Sequence, residues 1–170
     1  MATTVNVKAF EKISISNQIA LTGGQIAFPA TAVPSADPNT LDDYEEGTWT
    51  PSVGGDATYT HQAGQYTKIG NVVTIQARLQ INALGTGSTT QVSGLPFTVS
   101  DAVMGASTGC VSYFTSLAAD AVWLAVYFNG GASTLRFVST TVSGASSALG
   151  PVIFGNSAQV HFAGSYFTTE

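Results

Sequence analysis

Charge is what this sequence has least of. Of 170 residues only 9% are charged, against roughly a quarter in an ordinary soluble domain. Hydration therefore falls to Ser, Thr, Asn, Gln and Gly, which fill the gaps between apolar residues, and such a weakly hydrated surface suits a protein held in an assembly. The five basic residues, Lys8, Lys12, Lys68, Arg78 and Arg136, are scattered, and the net charge is -5. Neutralising phosphates takes clustered Lys and Arg, so the balance argues against nucleic acid as a partner.

Long apolar runs are also missing. Stretches such as Ala121 to Phe128 fall far short of the roughly 20 residues that a membrane-spanning helix needs, so no membrane partner is expected. Met1 is followed by polar, alternating sequence without a basic-then-apolar leader, and no signal peptide is expected. The one cysteine, Cys110, excludes an intrachain disulfide and a cysteine-based metal cluster within one chain. Set among alternating apolar positions in Gly-Cys-Val-Ser-Tyr-Phe, it is expected to be a small buried core residue. Neither histidine, His61 or His161, has a Cys, Asp or His at ligand spacing. No metal and no cofactor is expected.

Helical periodicity is absent, and Leu, Glu, Lys and Arg are scarce. What is present is period-two alternation in blocks separated by Gly, Pro, Asn and Ser. Val73, Ile75, Ala77, Leu79 and Ile81 point one way and Thr74, Gln76, Arg78 and Gln80 the other, which describes a strand with one buried face. The same rule picks out Ala57 to Thr60, Gln65 to Ile69, Thr90 to Ser93, Gly109 to Thr115, Ala121 to Phe128, Thr134 to Val138 and Gln159 to Thr168. Asn129-Gly130-Gly131 between two of these runs is a hairpin signal. Many short strands at this spacing predict an all-β, antiparallel β-sandwich or jelly-roll-like head.

The first residues differ. Ile13/Ile15, Ile19/Leu21 and Ile26/Phe28 are apolar pairs on segments too short to bury themselves in one chain. Identical chains wound around an axis would cover them, so residues 1–28 are expected to form an extended β anchor or intertwined shaft, trimeric, that seats on another protein. Pro29, Pro34 and Pro38 stiffen residues 29–46 into a neck. Residues 47–170 form the head.

Four of the ten acids stand in Asp42-Asp43-Tyr44-Glu45-Glu46. A glycosidase holds its carboxyls a defined distance apart across a substrate bond, and a contiguous run in a Pro-rich linker does not offer that. A solvated or interchain hydrogen-bonding role is expected, with calcium binding the next alternative. There is no Gly-x-Ser-x-Gly elbow and no glycine-rich loop leading into Lys-Ser or Lys-Thr, so the chain is expected not to be an enzyme. Trp123 and Tyr127 share one face of their strand with Ala125 between them, while Val122, Leu124, Val126 and Phe128 take the other. With Tyr113 they make an aromatic platform for a sugar ring or for a subunit interface.

The run Gly24 to Pro51, containing Leu41-Asp42-Asp43-Tyr44-Glu45-Glu46-Gly47-Thr48-Trp49, resembles a segment of bacteriophage tail-fibre, tailspike and head-fibre proteins. Gly64-Gln-Tyr-Thr-Lys-Ile-Gly-Asn-Val-Val73 is similar to a motif of the β-rich terminal domain that follows it there, and Ser93-Gly-Leu-Pro96 is in keeping. The resemblance covers about residues 24 to 82. It implies a virion surface protein, a homotrimer anchored to a capsid or tail protein, whose terminal domain trimerises the fibre or touches host surface glycans. It carries over no catalytic residue. In long fibres the segment follows hundreds of residues of shaft or enzyme domain. Here some twenty precede it, which favours a short fibre or decoration subunit over a polysaccharide depolymerase.

Overall fold

The alternation that marks residues 73 to 81 is realised as one strand of a curled antiparallel sheet. The computed structural model describes residues 23–29, 31, 33, 35, 37, 39–41, 43–102, 108–118, 120–141, 148–149 and 152–169. Nine strands are present among the described residues: β1 (Tyr44–Trp49), β2 (Thr58–Ile69), β3 (Val72–Ala83), β4 (Gln91–Ser93), β5 (Thr108–Thr115), β6 (Ala121–Phe128), β7 (Thr134–Thr141), β8 (Ala148–Leu149) and β9 (Gln159–Phe167). Among the described residues there is no helix.

All nine strands join one sheet, in the order β1-β2-β3-β9-β5-β6-β7-β4, with β8 attached to β7. The expected all-β, antiparallel architecture takes the form, among the described residues, of a single curled sheet. The reason lies in β9, which pairs with β3 on one side and β5 on the other and so joins what would be two layers. The roll brings the two edges together. Ser52, just past β1, exchanges both backbone hydrogen bonds with Ser93 of β4, at 3.0 and 2.7 Å.

The inner face of the roll is the core. Val73, Ile75, Leu79 and Ile81 of β3 and Val160, Phe162 and Tyr166 of β9 meet Leu124, Val126 and Phe128 of β6 and Leu135 and Phe137 of β7, all buried. Rings cross the interior at edge-to-face angles that suit their quadrupoles: Trp49 to Phe162 (6.2 Å, 71°), Phe162 to Phe137 (5.6 Å, 90°) and Phe137 to Phe154 (5.8 Å, 79°). Asn129-Gly130-Gly131 lies in the β6–β7 connection, closed by the Asn129 N–H donating to the Thr134 carbonyl at 3.0 Å.

Strands β1 and β2 interlock through their inward-facing residues. Trp49 is opposite Gly64 and Gly47 opposite Tyr66. The Trp49 indole lies across Gly64, where a Cβ would overlap the ring, and the Tyr66 ring fills the space that a Cβ on Gly47 would occupy. The Tyr66 hydroxyl donates to Glu45, and Lys68 is ion-paired with Asp43. The Lys68 side chain is only 3% exposed, and its ammonium also stands 5.4 Å from the centre of the Phe97 ring. The carboxylate of Glu45, with burial adding to its effect, pushes the Tyr66 phenol up to about 12. Of the acidic run expected to be solvated or interchain, Asp43 is instead buried against Lys68 of its own chain, while Glu45 and Glu46 stay exposed, Glu45 accepting from Tyr66 and Glu46 from Tyr44 at 2.8 Å.

Gly64→Ala should cost about 1–3 kcal/mol, as overpacking of a filled core does. Urea titration followed by Trp49 fluorescence in a Trp123→Phe background checks it; an unchanged midpoint would contradict the packing described. Lys68→Met should cost about 3–5 kcal/mol by stranding the Asp43 carboxylate, and Asp43→Leu with Lys68→Met should recover most of it, since a buried ion pair is often replaceable by apolar residues. The same titration reads both variants. A double variant as unstable as the single one would rule out the pair as the cause.

Candidate functional site

The face of the roll turned away from the core carries the polar half of each alternating strand. On it, cross-strand register sets residues in rows. One row runs Thr48, Gln65, Gln76, Ala163, Cys110 and Ala125 from β1 to β6. The next runs Ala63, Arg78, His161 and Tyr113, and beyond it lies His61, Gln80, Gln159 and Thr115. A groove of about 650 Å³ follows these rows, lined by Thr48, Gln65, Gln76, Arg78, Ser112 and His161 among others. Smaller depressions of about 430 and 410 Å³ continue it toward Glu46 and toward Gly164.

The chemistry of the groove centres on Arg78 and His161. Arg78 donates from Nη2 to Gln80 Oε1 at 3.2 Å, while its Nε is buried and without a partner among the described residues. The His161 ring lies 5.2 Å from that of Tyr113, tilted by 56°. The Gln159 amide nitrogen is 2.6 Å from His161 Nε2, a contact in which the amide N–H donates and the ring nitrogen accepts, as a neutral imidazole allows. Burial holds the imidazole below its ordinary range, and the charges of Arg78 and His61 act in the same direction.

The expected aromatic platform is placed as follows. Trp123 is 51% exposed and Tyr113 49% exposed, and Tyr127 is half-buried. Ala125, between Trp123 and Tyr127, pairs with Cys110 on the outer face. The structure groups Tyr113 with His161 rather than with the β6 aromatics, and no ring contact joins the three among the described residues. Val122, which alternation sets on the face of Leu124, is 58% exposed while Leu124 is buried: an irregularity between Ala121 and Trp123 breaks the alternation there. Cys110, expected in the core, is exposed, because its register places it with Ala163 on the outer side.

Of the anchor residues, Ile13, Ile15, Ile19 and Leu21 lie outside the described residues. Ile26 is 71% exposed, and the half-buried Phe28 ring sits 6.0 Å from that of Tyr44 in the same chain. Among the described residues, no group of three His, Cys, Asp or Glu is arranged to hold a metal ion. Arg78 and His161 went unnoticed as a pair in the sequence. The signal was there only in combination: both stand at outward positions of strongly alternating strands, but nothing local says that β3 and β9 are neighbours.

No protein-family model and no curated protein matches the chain. Among solved structures, the Dettilon tailspike protein is similar, with a TM-score of 0.58 at 13% identity. The aligned part is 73% of this chain and 24% of that one, so the chain spans about a quarter of the tailspike's length. At this identity the likeness is one of fold.

In a proton NMR titration the His161 ring should titrate below the ordinary histidine value of 6.5, and Arg78→Met should move it upward. Between 6.5 and the lowered folded value the unfolded chain holds a proton that the folded one does not, so stability should fall as pH drops through that window. A His161 titration at or above the ordinary value would refute the placement.

Proposed function

We propose that this chain is a structural protein of a bacteriophage virion: a short fibre or decoration subunit of capsid or tail, on the particle surface, with a role in host-surface attachment. The observation that carries the reading is the shared fold with a tailspike segment, joined to the fact that the two stretches resembling phage fibres include β1 and the second half of β2, the strands that interlock here. In this reading the chain is a homotrimer whose residues 1–28 anchor it to a capsid or tail protein, and the β head points outward. It is not an enzyme. In support, Asp43, Glu45 and Glu46 are committed to Lys68, Tyr66 and Tyr44 and are not spread across a cleft.

Sedimentation of the purified chain tests the assembly: the expected mass is about three times 17.4 kDa, and a stable, folded monomer would sink the trimer. A second reading, a carbohydrate-binding receptor-recognition module, is favoured by the exposed indole of Trp123 on the same face as Tyr127. Under it, Trp123→Ala should abolish glycan-array binding, and silence across host surface polysaccharides would remove it.

A further inference from the structure

This chain has ten acids against five Lys and Arg and two histidines, yet both histidines and one arginine converge on a single stretch of its outer face. Arg78 and His161 are direct cross-strand partners, and His61 lies on β2 one row away, opposite Gln80. No Asp or Glu lines the 650 Å³ groove beside them. Arg78 is the one full cation there, and Gln80 leaves its buried Nε unpartnered. Basic groups gathered without a counter-charge repel one another, and the fold tolerates this at His161 by keeping the ring neutral against Gln159. An anion placed beside Arg78 would give its guanidinium the counter-charge that the groove lacks.

We propose that this groove binds the carboxylate of an acidic saccharide, with Arg78 as its partner. The rest of the lining is suited to the sugar: Gln65, Gln76, Thr48 and Ser112 offer neutral donors and acceptors for hydroxyl groups, and the half-exposed Tyr113 ring stands at the His161 end as an apolar flank. A polyphosphate is disfavoured because the one arginine of the groove cannot neutralise a run of phosphates. The site is distinct from the Trp123 platform and does not depend on where on a particle the chain sits.

Calorimetric titration of the full chain tests this, using glucuronate-, galacturonate- and sialate-containing oligosaccharides, each paired with its carboxyl-reduced neutral counterpart. At least one acidic member should bind, with its neutral partner weaker by about tenfold or more, the worth of one charge-assisted hydrogen bond. Arg78→Met should erase that difference. Gln76→Glu, at an exposed position of the same strand, should weaken acidic binding without touching the core, which keeps the test decisive should the arginine variant fail to fold. Trp123→Ala should leave the acidic-to-neutral ratio unchanged. The proposal is overturned if no acidic member binds, if acidic and neutral partners bind equally, or if the difference survives Arg78→Met or, where that variant does not fold, Gln76→Glu.

Discussion

Strands β1 and β2 fit together as a key fits its wards, and the curl of the sheet starts from that fit. Asp43, just before β1, and Glu45, Gly47 and Trp49 on it share one side of the ladder with Gly64, Tyr66 and Lys68 of β2. Large side chains on one strand meet absent ones on the other, and each charged or hydroxyl group has a partner in its own chain. A shift of the register by one residue would send all of these to the opposite face. The pairing therefore fixes where Trp49 lands, and Trp49 reaches across Gly64 and the small Ala77 to Phe162. That contact starts the line of rings that runs through Phe137 to Phe154.

A sheet with one apolar face has to cover it, and here the cover is the far end of the same sheet. Bulges bend and twist strands locally, and register irregularities occur in the β2–β3, β5–β9 and β6–β7 pairings. With Ser52 and Ser93 bonded to each other, the termini of the strand order meet instead of standing open. The outer face, freed from core packing, is where polar side chains can be arranged for recognition, and its rows are as rigid as the register that sets them.

Much of the fold was legible. The runs Ala121 to Phe128 and Gln159 to Thr168 mark β6 and β9 closely, and Val73 to Ile81 falls within β3, because alternation is a local signal that burial writes into the chain. Ala57 to Thr60 and Gln65 to Ile69 read as two blocks but are one strand, since Gly64 and Ala63 between them lack the bulk by which strands are recognised. Strand β1 was hidden by its acids, which make sense only when Lys68 and Tyr66 are placed opposite them. The outward setting of Trp123 followed from alternation, whereas that of Val122 did not, because a bulge leaves no trace in residue type. The Arg78–His161 pair lay out of reach for a deeper reason: its members are joined by the β3–β9 pairing, a contact between distant parts of the chain.

The buried ion pair also stands at a particular place, where the chain enters the sheet. The Asp43 carboxylate holds Lys68 and its carbonyl accepts from the Gly70 N–H at 2.9 Å, immediately before β1 begins. A force applied to the chain ahead of β1 would reach the sheet at this point. A pull along the strand axis loads the β1–β2 ladder in shear, with its rungs resisting together, whereas a pull across it would open the rungs singly, beginning with the Asp43 clasp. Lys68 is thus a mechanical fastener at the edge where the chain enters the sheet, and its strength depends on the direction of the pull.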